Sequence, residues 1–186
     1  MSTMKVLICQ EIKNLVWEVR ERPVPGDNEA LIKIKTVGIC GTDIHAWAGN
    51  QPFFSYPRVL GHEICGEIIE SGKNIHNFNI GQQVAVIPYI SCQQCPACKS
   101  GRTNCCEKIS VIGVHQDGGF SEYLSVPVAN ILPADGIDPQ AAALIEPFAI
   151  SAHAVRRAAI APSEQVLVVG AGPIGLGAAA IAKIGR

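Results

Sequence analysis

The chain has 186 residues, 48% of them apolar and only 17% charged, with a formal net charge of −1. This is enough apolar residue to build a buried core, which excludes a disordered chain. Near-neutrality excludes the basic footprint of a nucleic-acid binder and a strong electrostatic pull toward a membrane surface. The opening MSTMKVLICQEIK has no basic leader followed by an apolar stretch, so no secretory signal is expected and the location expected is cytoplasmic.

The first part of the chain reads as strands. Lys5–Gln10, Leu15–Val19, Ala30–Val37, Ile64–Glu70, Gln83–Ile87 and Ser121–Val126 are short segments separated by Gly, Pro, Asn or Asp. In Leu31-Ile32-Lys33-Ile34-Lys35 apolar and basic residues alternate, the pattern of a strand buried on one face. Many short strands with turn signals predict a β-rich, partly open barrel. Between the third and fourth strands, Gly38-Ile39-Cys40-Gly41-Thr42-Asp43-Ile44-His45 reads as a strand end entering a turn, and Gly61-His62-Glu63 follows. Taken singly, each of these residues has a plain structural reading, and spacing alone does not join them.

Cys92, Cys95, Cys98 and Cys106 form C-x2-C-x2-C-x7-C. Eight cysteines in a chain without a secretory signal point to metal rather than disulfides, because reducing compartments keep thiols free. Four thiolates brought together by tight turns suit tetrahedral Zn²⁺. With every position filled by protein, the site is expected to be structural. Cys105 stands beside Cys106 and could substitute as ligand, though Cys106 is the expected one. Pro88, Pro96 and Gly101 mark the segment as a loop.

The texture changes near Asp138-Pro139, an N-cap acid followed by proline at the first helical position. Ala141–Ile160 then reads as helix, kinked or divided by Pro147. A turn at Ala161-Pro162-Ser163-Glu164 leads to Gln165–Val169, an apolar run typical of a buried parallel strand. Gly170-Ala171-Gly172-Pro173-Ile174-Gly175 and a second helix follow. A strand, a glycine turn and a helix open a βαβ unit. In that setting Gly170 permits the tight turn, Gly172 lets a pyrophosphate approach the backbone, and Gly175 lets helix pack on strand. The run Val166–Ala182 is too broken by glycine to read as a membrane span. The expected division is residues 1–150 as a β-rich domain and 151–186 as the start of a Rossmann-type α/β domain. The chain is accordingly expected to be a piece of a longer protein, poorly active alone.

Together, G-I-C-G-T-D-I-H, G-H-E, the four-cysteine lobe and V-V-G-A-G-P-I-G resemble the zinc-containing medium-chain dehydrogenase/reductase family, in order and along the whole chain. Leu144-Ile145-Glu146-Pro147 is similar to its sorbitol, threonine and glucose dehydrogenase branch, in which Glu stands where alcohol dehydrogenases have Cys. The resemblance implies a GroES-like catalytic domain with two zinc ions, one structural and one catalytic. For the latter it implies Cys40 and His62 as ligands, Glu63 as a neighbouring or exchangeable ligand, and Glu146 as a ligand or a carboxylate just behind the ligands. Cys40 and one carboxylate neutralise Zn²⁺; both carboxylates together overshoot, which favours exchange over simultaneous ligation.

The resemblance also implies oxidation of a secondary hydroxyl of a polyol or sugar acid, with hydride passing to NAD. The proton leaves through Thr42 and then His45. Gly170, Gly172, Pro173, Ile174 and Gly175 are the implied cofactor contacts, and homo-oligomers (dimers or tetramers) the implied assembly. The acidic residue that separates NAD from NADP stands about 20 residues past the glycine turn, beyond Arg186, so NADP stays open. Two other readings remain: a zinc-binding module without catalysis, and a reductase of the same superfamily that lacks the catalytic zinc. Neither a nucleic acid nor a membrane is an expected partner.

Overall fold

The structure is a computed structural model that describes residues 2–184. It divides into two compact units, Met1–Ala143 and Leu144–Arg186. In the first, β1 (Thr3–Glu11), β2 (Asn14–Glu21) and β4 (Arg58–Val59) form a sheet in the order β2-β1-β4. A five-stranded sheet is built from β3 (Glu29–Gly38), β5 (Glu63–Ser71), β6 (Gln83–Val86), β9 (Tyr123–Pro127) and β10 (Ile131–Pro133), in the order β10-β6-β5-β3-β9. The pair β7 (Tyr89–Ile90) and β8 (Ser110–Val111) stands apart, and all these strand pairings are antiparallel. The segment before β9 sews the two larger sheets together. Leu7 N–H donates to Phe120 O at 2.8 Å, and Glu122 N–H donates to Lys5 O at 3.1 Å. The β-rich, partly open barrel expected from the strand pattern is what forms.

The core follows the apolar pattern, with one revision. Ala30, Ile32, Ile64, Ile68, Val84 and Val126 form one buried cluster. Each fully buried isoleucine contributes roughly 2–3 kcal/mol by leaving water. Alternation in β3 predicts one buried face, yet Leu31, pointing the other way from Ile32, is equally buried. The reason is α3 (Pro139–Ala143), which packs against β3 and β5. It starts as its sequence predicts: Asp138 Oδ1 accepts from the N–H of Gln140 at 2.9 Å and of Ala141 at 3.3 Å.

Three local expectations are corrected. The segment after Cys40 is α1 (Gly41–Ala48), a helix rather than a turn. The helical stretch after Asp138 divides at Leu144, ahead of Pro147, into α3 and a helix Ile145–Ala158. With the break there, Pro147 falls in the first turn of the new helix, where its missing N–H costs nothing. Finally, Gln165–Val169 is not a strand: Leu167 and Val169 are 86% and 89% exposed. A strand exists through its ladder to a neighbour, and among the described residues nothing pairs with this segment. No described helix is long and apolar enough to cross a membrane.

Candidate metal centres and glycine turn

Between β7 and α2 (Pro96–Lys99), and on through a 3₁₀ turn at Thr103–Cys105, the chain folds into a small lobe closed at its base by the β7–β8 pair. Its core is cysteine: Cys95, Cys98 and Cys106 are buried together, with Cys92, Ala97 and Ile109 packed against them. The sulfurs of Cys92, Cys95, Cys98 and Cys106 lie within 4.8 Å of one another. Backbone donors face them. Cys106 Sγ accepts from Cys92 N–H at 3.2 Å and Lys108 N–H at 3.3 Å, and Cys92 Sγ accepts from Cys95 N–H at 3.4 Å.

Such donors favour thiolate. The N–H groups of Gln94 and Cys95 pull the Cys92 thiol down to about 6, whereas burial and neighbouring sulfurs push Cys98 up to about 12. Four thiolates this close repel, and a divalent cation among them removes that penalty. The donor set therefore fits the structural Zn²⁺ read from the spacing. Cys105 is exposed and outside the group.

The second cluster is made by strand register. In the antiparallel β3–β5 pair, Gly38 stands opposite Glu63. The chain leaving β3 therefore carries Cys40 to the place where the chain entering β5 brings His62. Cys40, His62 and Glu63 offer ligand atoms within 4.8 Å of one another, and His62 and Glu63 are both buried. The His62 imidazole, and then Thr42, hold the Cys40 thiol below the usual cysteine range. Thiolate, imidazole and carboxylate form a donor set that suits zinc and leaves a position open. Glu146, in the first turn of α4 (Ile145–Ala158), belongs to the other compact unit.

Asp43 holds the two ligand-bearing segments together. It is 3% exposed; one oxygen accepts from Cys40 N–H at 2.8 Å and the other from Gly61 N–H at 3.1 Å. The second oxygen also lies 3.8 Å from His62 Nδ1. Burial raises its pKa, against the pull of His62 and the two N–H donors. Asp43 thus orients the backbone on both sides, at Cys40 and at Gly61 beside His62. An acid three residues after a helix N-cap is the signal that would have marked it.

Of the proposed relay, Thr42 Oγ1 lies 3.5 Å from Cys40 Sγ, and His45 is exposed one turn further along α1. Three residues apart, the two share a helix face.

Gly38 is a residue that sequence reasoning missed. A Cβ there would stand 2.0 Å from Glu63 Oε2, so only glycine lets the buried carboxylate lie against the end of β3. Gly38→Ala is expected to displace Glu63 at about 1–3 kcal/mol, a typical cost of overpacking. Faster loss of metal from the Cys40 cluster, timed with a chelator, checks it.

In the second unit the glycine turn precedes α5 (Pro173–Ile184). Gly170 has φ +105°, a conformation glycine alone takes readily. A Cβ on Gly175 would stand 2.0 Å from Gly170 O, whereas one on Gly172 would meet nothing within 4 Å. Gly175 is thus required for tight packing of the turn, and Gly172 leaves its backbone open to a ligand. Pro173 and Ile174 begin the helix, whose N-terminal N–H groups suit phosphate.

Residues 26–136 match the family model described as alcohol dehydrogenase GroES-like domain. The chain is 88% identical over 183 residues to the L-galactonate-5-dehydrogenase of Escherichia coli strain K12, covering 98% of this chain and 54% of that protein. A crystal structure of a short chain alcohol dehydrogenase from E. coli CFT073, complexed with NADH, superposes with a TM-score of 0.92 at 40% identity. It covers 98% of this chain and 54% of its own. A cobalt- and zinc-bound thermostable alcohol dehydrogenase from Pyrobaculum aerophilum gives 0.89 at 32% identity, over 98% of this chain and 57% of its own. The chain thus spans about half the length of the relatives it matches.

Proposed function

Since the chain belongs to the alcohol dehydrogenase GroES-like domain family, we propose that it carries the metal centres and the first part of the cofactor site of a zinc-dependent dehydrogenase. The reaction is oxidation of a secondary hydroxyl of a polyol or sugar acid. An L-galactonate-like substrate is favoured by the 88% identity to the E. coli enzyme of that name. The observation that carries the reading is the convergence of Cys40, His62 and Glu63 beside Thr42.

Cys40 and His62 are the fixed ligands of the catalytic zinc; Glu63 and Glu146 are its exchangeable carboxylates. Cys92, Cys95, Cys98 and Cys106 hold the structural zinc. Zinc supplies the Lewis acidity that makes an alcohol acidic near neutral pH, and NAD, or NADP, accepts hydride. Asp43 fixes the backbone on either side of the site. Thr42 takes the hydroxyl proton and His45, exposed on the same face of α1, passes it to water. Gly170, Gly172, Pro173, Ile174 and Gly175 receive the pyrophosphate. The first domain comprises residues 1–150 and the nucleotide-binding domain begins at 151. The enzyme is cytoplasmic, assembles as a homo-oligomer, and takes neither nucleic acid nor membrane as a partner.

A second reading, a zinc-binding module without turnover, draws support from the exposure of segment 165–169. One assay separates them. Purified chain is incubated with NAD or NADP and a panel of sugar acids, and its zinc is counted. Turnover of a sugar acid establishes the dehydrogenase and overturns the expectation that the chain is poorly active alone. Two zincs with NAD(H) binding but little turnover fit a dehydrogenase fragment, two zincs with neither favour the module, and a single zinc rejects the catalytic centre.

A further inference from the structure

Helices α4 and α5 pack on each other within the second unit, and one polar atom sits in their interface. Ser151 is completely buried, 0% exposed. Its hydroxyl lies 3.0 Å from Pro147 O, one turn back in α4, and 3.1 Å from Ile174 O, in the first turn of α5. The first contact is the ordinary back-bond of a helical serine. The hydroxyl has one proton, so it is shared as a three-centre bond whose second arm reaches across to the glycine turn.

Across that interface stands Gly177, where a Cβ would come within 2.6 Å of Ser151 Oγ and 3.1 Å of its Cβ. The missing side chain is what admits the hydroxyl. The catalytic and metal-binding residues above make no use of either position.

Ile174 O and Gly175 N–H belong to one planar trans peptide, so they point in opposite directions and cannot turn independently. A donor that fixes Ile174 O toward Ser151 therefore also fixes the aim of Gly175 N–H toward the open N-terminal end of α5. The N–H groups of Ile174 and Gly175 are first-turn donors, with no carbonyl one helical turn earlier to accept from them. They are the donors a pyrophosphate would meet.

We propose that Ser151 is a positioning residue of the cofactor turn, holding the Ile174–Gly175 peptide so that its N–H faces the dinucleotide phosphates. Ser151 touches no reacting atom. It works through the peptide it holds, and Gly177 works by leaving room for it. The proposal rests on the dinucleotide-binding reading above.

The test uses the whole chain with NADH as the probe, read by fluorescence titration, together with amide hydrogen exchange at Ile174, Gly175 and Leu176. Ser151→Ala keeps the volume and removes the donor. It is expected to speed exchange at Gly175 and to weaken NADH by roughly five- to tenfold, the worth of one buried hydrogen bond. Helix content and the four-cysteine zinc should be unchanged.

Gly177→Ala supplies a second test. Its Cβ crowds Ser151, so a purely structural role for this contact predicts a less stable α4–α5 pair with unchanged exchange at Gly175 and unchanged binding. The proposal predicts looser exchange at Gly175 and weaker NADH. If the unsubstituted chain binds no NADH, the dinucleotide reading fails, and exchange at Gly175 alone then decides whether Ser151 holds the peptide. If the unsubstituted chain binds and Ser151→Ala alters neither exchange nor affinity, the positioning role is overturned with the reading intact. Faster exchange with unchanged affinity overturns it as well.

Discussion

Cys92→Ser is expected to release the zinc of the four-cysteine lobe and to unfold the segment between β7 and β8, while the five-stranded sheet survives. The magnitude follows from what else holds the lobe. Apart from the cysteines, its cluster contains only Ala97 and Ile109, and its base is a pair of two-residue strands. Apolar burial on that scale is worth a few kcal/mol at most, whereas structural zinc binds with an apparent 10–16 kcal/mol or so near neutral pH. The metal is therefore the main source of order. Serine cannot replace the thiolate that the Gln94 and Cys95 N–H groups stabilise at position 92. Native mass spectrometry should count one zinc fewer, and limited proteolysis should cut within residues 91–109. Cys105→Ser is the control: its exposed sulfur is outside the four-sulfur group, so zinc content should hold. Zinc lost from Cys105→Ser but kept in Cys106→Ser would exchange the assignments of Cys105 and Cys106.

How legible each site is in the sequence depends on how its residues are brought together. The lobe is legible because its ligands are local: two short turns and one longer one bring the sulfurs together, and the spacing itself encodes the geometry. Cys40 and His62 are joined by the register of β3 on β5, with Gly38 opposite Glu63. Register is a tertiary property, and the sequence pattern does not reveal it without the resemblance. Helix α1 was read as a turn because a glycine opens it and another, Gly49, closes it in a left-handed conformation, leaving a short helix of mixed residues. The run at 165–169 misled in the opposite direction. Val166, Leu167, Val168 and Val169 carry strand propensity, but propensity does not pair a strand. Ser151 gave no signal at all, since its reason for being there is the absent side chain of Gly177.

Cys40→Ser separates the two metal centres. The centre at Cys40 has one thiolate, one imidazole and carboxylates, so removing the thiolate removes its softest donor and half the charge that balances Zn²⁺. A serine hydroxyl stays protonated at neutral pH and restores neither. Its neighbours are built around the thiolate: His62 and Thr42 both favour its ionised form, and Asp43 fixes the backbone N–H of the residue that bears it. Zinc should fall from two per chain to one, with the four-cysteine ion retained, because that lobe closes on its own β7–β8 pair.

Where the unsubstituted protein turns over, the rate should fall on the order of a thousandfold or more, since Lewis acidity worth several kcal/mol is withdrawn and each 1.36 kcal/mol is tenfold. Loss of both ions would mean that the centres are coupled. Full retention of both would mean that His62, Glu63 and a further donor hold the catalytic ion without sulfur. Asp43→Asn distinguishes a weakened ligand from a displaced one. It keeps two oxygen-sized groups near Cys40 and Gly61 but can turn a donor toward one of the two N–H groups. If the aim of the backbone matters, it should loosen the Cys40 zinc and leave the lobe untouched.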